Sequence, residues 1–228
     1  MMKRCFLTWM FLLLVEVMAF AQQHQRYDFN GQQLGDGWQY VEQPDRSKYV
    51  LMNGCLRLYG SVYDLKDRKP TTFLGISQKE QNFTAETHVP LFDFEDGDEA
   101  GMALFFTDSC FVESSLINYR SETRIKLRFQ FLNHSWLMVN HAVGQKVSQY
   151  WLRVVGDERA YTFYYSFDGK KYTKLDRIDR RLLTPAISGT TAAPLIGLFA
   201  FTGTTKYQSG YSYADFDYFD YRALLLMR

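Results

Sequence analysis

The stretch Phe83-Thr84-Ala85-Glu86-Thr87-His88-Val89-Pro90-Leu91 decides the fold class. Phe83, Ala85, Thr87, Val89 and Leu91 fall on one side of an extended chain, and Thr84, Glu86 and His88 on the other. A period of two marks a half-buried strand, because successive side chains of a strand point to opposite faces. Met102, Leu104 and Phe106 repeat it, as do Tyr161, Phe163 and Tyr165 against Thr162, Tyr164 and Ser166. No long segment carries a helical period, and the one helix expected is a single turn near Asp179 to Leu183. Asn30-Gly31, Asn53-Gly54, Asp96-Gly97, Gly156-Asp157 and Asp168-Gly169 punctuate the runs. The last pair predicts a tight hairpin in which Gly169 supplies a positive φ. About a dozen short strands so spaced predict an all-β, two-sheet antiparallel sandwich in one domain.

Composition agrees. The chain has 228 residues, 46% hydrophobic and 22% charged, which is globular usage. Lys and Arg number 26 against 25 Asp and Glu, a net charge of +1. So small a charge provides no cationic field for nucleic acid or for an anionic membrane surface. Aromatics make 17% of the chain. Flat rings suit a pleated surface, and they also offer platforms on which sugars stack.

Met1-Met2-Lys3-Arg4 is a basic start, and Phe6 to Phe20 is apolar except for Thr8 and Glu16. Ala19-Phe20-Ala21 then supplies a small-x-small cleavage pattern. Residues 1–21 read as a secretory signal peptide, too short and too interrupted to span a bilayer. A secreted or periplasmic protein with no membrane span after cleavage is expected. Cys55 and Cys110 remain after that cleavage. They either pair or sit as small buried hydrophobes.

Tyr27-Asp28-Phe29-Asn30-Gly31 with Leu34 and Trp38, Asn53-Gly54-Cys55-Leu56-Arg57-Leu58, Phe83 to Thr87, Glu99 to Ala103, Tyr164 to Gly169 and Ala214 to Tyr221 follow one another in a telling order. Together they resemble the C-terminal concanavalin A-like domain of family 43 β-xylosidases, over residues 26–222. The resemblance implies a jelly-roll-like β-sandwich, normally fused behind a propeller that carries both catalytic carboxylates. Here the signal peptide leads straight into the sandwich, so the accessory domain alone is expected, with 223–228 as a tail on the body. Where the family presents an aromatic tip to its partner's active site, this chain reads Thr190-Thr191-Ala192-Ala193-Pro194. That departure argues against an active-site-closing role.

Strict alternation would set Asp215 and Asp217 on one face with Phe219, and Asp220 on the other. Two aspartates so placed invite a catalytic reading, but no Glu accompanies them. A metal reading serves this strand better: Asp217 would supply the carboxylate of a structural Ca²⁺, with carbonyls near Asp28 and Gly54, where first and last strands meet. Plain hydrogen bonding by Asp217 to backbone is the alternative. No zinc spacing, serine-nucleophile elbow or phosphate loop occurs. Trp38 and Trp151 align with core positions of the family, and Trp136 is expected at the surface. Arg120, Arg124 and Arg128 are expected to form a solvated strand face. Trp136, Tyr207, Tyr211 and Tyr213 are the candidate sugar-stacking residues.

These features lead to a secreted, non-catalytic module that binds xylan or arabinoxylan or assists a separate glycosidase. Two alternatives stand beside it. One is a small hydrolase using Asp215 and Asp217, or a cleft acid such as Glu86 or Glu113. The other is a laminin-like protein-binding module.

Overall fold

The computed structural model describes residues 21–41, 48–203 and 212–225. The expected signal peptide, apart from its last residue, and Tyr207 and Tyr211 lie outside the described residues. The strands open with β1 (Ala21–Tyr27), β2 (Trp38–Tyr40), β3 (Tyr49–Met52), β4 (Cys55–Tyr59) and β5 (Phe73–Ser77). Next come β6 (Asn82–Val89), β7 (Leu91–Asp93), β8 (Glu99–Thr107), β9 (Cys110–Tyr119), β10 (Glu122–Phe131) and β11 (His134–Ala142). Then follow β12 (Tyr150–Gly156), β13 (Ala160–Ser166), β14 (Thr173–Asp179), β15 (Leu195–Phe201), β16 (Tyr213–Phe216) and β17 (Tyr218–Leu225). Two of the runs, 82–93 and 213–225, are each broken in two, at Pro90 and at Asp217.

A six-stranded back sheet has the order β1-β17-β6-β12-β13-β14, and a seven-stranded front sheet the order β11-β10-β9-β8-β15-β5-β2. A third, four-stranded sheet, β3-β4-β16-β7, continues the back sheet past a bend. Pro90 has no N–H to give the ladder and ends β6, and Asp217 interrupts the facing strand at the same level. Register nevertheless carries through, with Asp215 opposite Leu91 and Tyr218 opposite His88. The architecture is therefore the concanavalin A-like sandwich, with one layer bent.

The bend also shifts the phase of alternation. Ala214 and Phe216 face the core before it, and Phe219, Tyr221 and Ala223 after it. Asp215 and Asp220 consequently share the outward face, whereas strict alternation separated them. Phe219, Leu104 and Phe163 are fully buried, and Phe83 nearly so. Burying each such side chain contributes about 1.5–3 kcal/mol. Trp38 packs half-buried among Tyr27, Phe29 and Phe219, with ring centroids 5.1, 5.9 and 5.4 Å away. Thr87 is buried too, but its hydroxyl donates to the Tyr218 carbonyl at 2.6 Å. Gly197 has no alternative in the front sheet, since a Cβ there would stand 1.9 Å from the Leu74 carbonyl oxygen.

Several local expectations need correction. The Asp168-Gly169 turn is not a two-residue hairpin: residues 167–172 separate β13 from β14. The Asp168 carboxylate accepts the N–H groups of Lys170 and Lys171, each at 2.8 Å, and so organises a wider loop. Those bonds bring its pKa down to about 2. Gly169 does adopt φ +68°. The expected helical turn is a 3₁₀ turn at Arg180–Leu182 capped by Asp179, and a second turn, α1 (Pro185–Ser188), follows it. Trp151 is not in the core. It lies on the outer face of β12, stacked on His88 with centroids 4.0 Å apart and planes within 6°. Ala223 to Leu225 are no tail either, because they continue β17 and pair with β1. Cys55 and Cys110 are free thiols, and burial pushes that of Cys110 up to about 11.

Candidate functional site

The outer face of the front sheet carries a sealed charge cluster. Glu99 on β8, Glu113 on β9, and Lys126 and Arg128 on β10 project there at neighbouring register positions. The Lys126 ammonium sits 2.5 Å from Glu99 and 3.0 Å from Glu113. Arg128 reaches Glu113 at 2.8 Å and Asp64 at 2.7 Å, and Ser115 donates to Glu99 at 2.5 Å. The Glu113 side chain is 0% exposed and that of Glu99 7%. Beside the cluster, Leu65 packs on Phe73, Ala103, Phe105, Phe111 and Phe199. The loop over residues 61–72 thus closes this face, pinned by Leu65 and by the Asp64–Arg128 pair. Arg120 and Arg124 keep some exposure, but Arg128 corrects the expectation of a solvated face. Its surface is taken up by carboxylates and the loop.

Burial would lower the pKa of Lys126, but Glu99 and Glu113 outweigh it and the net shift is upward, so the ammonium is held. Burial raises that of Glu99, aided by Glu113 and opposed by Lys126. Asp64 moves the other way: burial would raise it, but Arg128 and the Lys66 amide lower it. Two carboxylates about one ammonium superficially resemble a glycosidase acid pair. No substrate can reach a carboxylate with no exposed surface, and the cation between them fills the place of the sugar.

The outer face of the back sheet is open and differently built. Glu86 accepts from Arg153 Nε at 2.6 Å and from the Tyr218 hydroxyl at 2.7 Å. Arg153 lies 3.5 Å above the Tyr172 ring, and Arg26 lies 4.1 Å above that of Tyr218. Asp220 draws in His24, Arg26 and Arg222. Burial opposes its ionisation, yet Arg222 and His24 leave its pKa lowered. Thr84, Glu86, Arg153, Asp220 and Arg222 line a pocket of about 260 Å³. That is below the usual range of ligand pockets, roughly 300–1,000 Å³, and both oxygens of Glu86 are already engaged.

The residues singled out in the sequence scatter. Trp136 is 46% exposed on β11, its ring stacked on Phe129 at 5.7 Å. Tyr213 lies on β16, in the small sheet, under the Arg57 guanidinium at 3.7 Å, and Arg57 holds Asp215 through bonds of 2.7 and 2.8 Å. Trp136 and Tyr213 belong to different sheets and share no aromatic contact, so they form no common platform. Asp217 accepts from His88 Nδ1 at 3.1 Å, and Asp28 from Arg26 at 2.6 Å. Gly54 faces the Asn30 side chain, 2.9 Å from where a Cβ would stand. Among the described residues no three His, Cys, Asp or Glu side chains converge as a metal cluster. The sealed cluster was legible only as charges at alternate positions of β10; nothing local ties Glu99 or Asp64 to it.

Residues 26–222 match the family model of the β-xylosidase C-terminal concanavalin A-like domain. The chain belongs to that family. Among its relatives is a non-reducing end α-L-arabinofuranosidase of Bacteroides ovatus, 25% identical over 208 residues. The match covers 90% of this chain but 38% of that enzyme. The crystal structure of BlXynB from Bacillus licheniformis, 25% identical, superposes with a TM-score of 0.77 over 87% of this chain and 39% of that one. A xylan β-1,4-xylosidase from Bacillus halodurans shares the fold at 18% identity, with a TM-score of 0.75 over 86% of this chain and 38% of its own. The chain thus spans about two fifths of the length of these family members, and what it matches is their C-terminal concanavalin A-like domain.

Proposed function

We propose that this chain is a secreted, non-catalytic accessory module that binds xylan-type glycan in support of a separate glycosidase. The observation that carries the reading is the commitment of every candidate acid to a partner. Asp215 is held by Arg57, Glu86 by Arg153 and Tyr218, Glu113 by Lys126 and Arg128, and Asp217 by His88. A general acid needs a proton to give and a substrate within reach. Trp136 is the platform of choice, because Phe129 supports its ring while almost half of its surface stays open to solvent. Sugars stack through their C–H face on such a ring.

Calorimetry with xylo- and arabinoxylo-oligosaccharides tests this. Binding should be measurable and should fall at least about tenfold in Trp136→Ala, with the melting temperature unchanged. Hydrolysis of aryl-xylosides or xylan by the purified protein would overturn the non-catalytic reading, and absence of binding to every plant glycan tried would overturn the glycan.

A structural Ca²⁺ at the junction of the terminal strands is part of the proposal. The ligands we propose are the Asp217 carboxylate, which would then share its charge between the ion and His88, and backbone carbonyls near Asp28 and Gly54. Asp28 would contribute only its carbonyl, since its carboxylate is turned to Arg26. An ion that binds only the folded state stabilises it by about 2.7 kcal/mol at a hundredfold excess over its dissociation constant. Chelator should then lower the melting temperature, and Asp217→Asn should abolish that response. Coincident melting curves with and without chelator remove the ion.

A further inference from the structure

We infer that this protein forms a two-fold dimer through the edge strand β11, which joins the front sheets of two copies into one. The argument begins with what an edge strand exposes. Among the described residues β11 ends the front sheet and has β10 as its one ladder partner, so one row of its backbone groups has no described strand beside it. Protein edges of this kind are usually blocked by charge, by proline or by extreme shortness, because an open edge accepts another strand. β11 carries neither charge nor proline and is not short, although it bulges at Met138, between the Leu127–Val139 and Arg128–Leu137 pairs. It runs for nine residues, His134-Ser135-Trp136-Leu137-Met138-Val139-Asn140-His141-Ala142, without Lys, Arg, Asp, Glu or Pro.

Its side chains reinforce the point. Trp136 is 46% exposed, Leu137 52% and Met138 36%, and Leu132 in the turn before β11 is 52% exposed. Four of the nine large hydrophobic residues found exposed among the described residues lie in this one seven-residue stretch. The C-terminal end of the strand is occupied, because Arg124 donates to the Asn140 side chain and carbonyl, both at 2.7 Å. The open, apolar part is therefore His134 to Val139. The other edges are shorter or charged: β2 and β7 have three residues each and β3 four, β1 carries Arg26, and β14 is Thr173-Lys174-Leu175-Asp176-Arg177-Ile178-Asp179.

Charge complementarity points to a second copy as the occupant. An uncharged strand set antiparallel to itself meets no like-charge repulsion, and each apolar side chain meets an apolar one. β14 touches β11 across the sandwich, so a two-fold axis perpendicular to β11 and to the sheet, the orientation that makes the joined strands antiparallel, sets β14 towards its own copy. In antiparallel apposition the β14 sequence is self-complementary, with Lys174 facing Asp179 and Asp176 facing Arg177. Like charges opposite one another would have argued against this symmetry.

Sedimentation of the full secreted chain over a range of concentrations is the test, read together with amide exchange. The mass should double as concentration rises, and amides of residues 134–139 should gain protection in step. Leu137→Lys should raise the dissociation constant at least about tenfold. Its side chain is half-exposed in the single copy, so the fold should survive. Ile187→Lys, which alters an exposed apolar residue on α1, should leave the dimer intact. A single monomeric mass at every concentration would overturn the inference. So would a dimer indifferent to Leu137→Lys, or β11 amides protected only by an added glycosidase. Trp136 lies on the same strand, so dimer and glycan compete for it; sedimentation without glycan reports the dimer alone, and calorimetry on the monomeric Leu137→Lys protein reports the glycan alone.

Discussion

The two outer faces of the sandwich use charge in opposite ways. On the front sheet Glu99, Glu113, Lys126 and Arg128 are sealed beneath the 61–72 loop, and their bonds run from strand to strand and up to that loop. On the back sheet Glu86, Arg153 and Arg222 remain within reach of solvent, with the Tyr172 and Tyr218 rings beneath the Arg153 and Arg26 guanidinium groups, although Asp220 is buried among its cations. The same residue types therefore have different consequences. In the sealed cluster a charge lacks water as an alternative partner, so losing its counter-ion leaves it stranded. On the open face water replaces the lost partner, and the pair is worth little. The front face is a structural joint, and the back face is a solvated surface.

The sharpest way to break this contrast is to delete one cation from each face. Lys126→Met leaves Glu99 and Glu113 without the ammonium between them and should cost about 3–5 kcal/mol, read by denaturant unfolding. Arg153→Met on the open face should cost less than about 1 kcal/mol, since Arg153 is one-third exposed. Equal costs would mean that the front cluster is hydrated and the loop above it open.

Of intermediate size is the effect of the loop pin. Asp64→Asn should cost about 1–2 kcal/mol, because Arg128 retains Glu113. The pH dependence sharpens it. The Asp64 pKa is lowered in the folded state by Arg128 despite burial. Its contribution is thus fully present above the unfolded value of about 4, and it is lost as pH falls through the lower folded value. Glu99 has the opposite sign. Its raised pKa makes its ionised form a burden that protonation relieves. Acid should therefore release the 61–72 loop before the strands separate, seen as early amide exchange in that loop. Simultaneous exchange throughout the front sheet would contradict the pin.

Much of the fold was legible because strand periodicity is local. The alternation from Phe83 to Val89 reappears as a strictly alternating burial pattern in β6. It failed where two neighbouring strands bend together. Nothing in Ala214 to Tyr221 announces that Asp217 will interrupt the strand; the cause is Pro90, distant in sequence and adjacent in the sheet. Trp151 was misplaced for a related reason, since a large ring reads as core when its outer-face partner, His88, lies on another strand. Of the candidate site, exposure of Trp136 could be anticipated, but its separation from Tyr213 could not.

By itself, then, the sequence determined the all-β class, the approximate strands and the family, because alternation, turn residues and motif order are properties of neighbouring residues. The tertiary structure alone decided which carboxylates are buried, which edge is left open and which acids share a face. Those depend on register between strands that lie 14 residues apart (Glu99 and Glu113) or 158 apart (Arg57 and Asp215). Burial and pairing are set by what finally packs above a residue, and for Glu113 that is Lys126 and Arg128 on the neighbouring strand, with the loop carrying Asp64 beyond them.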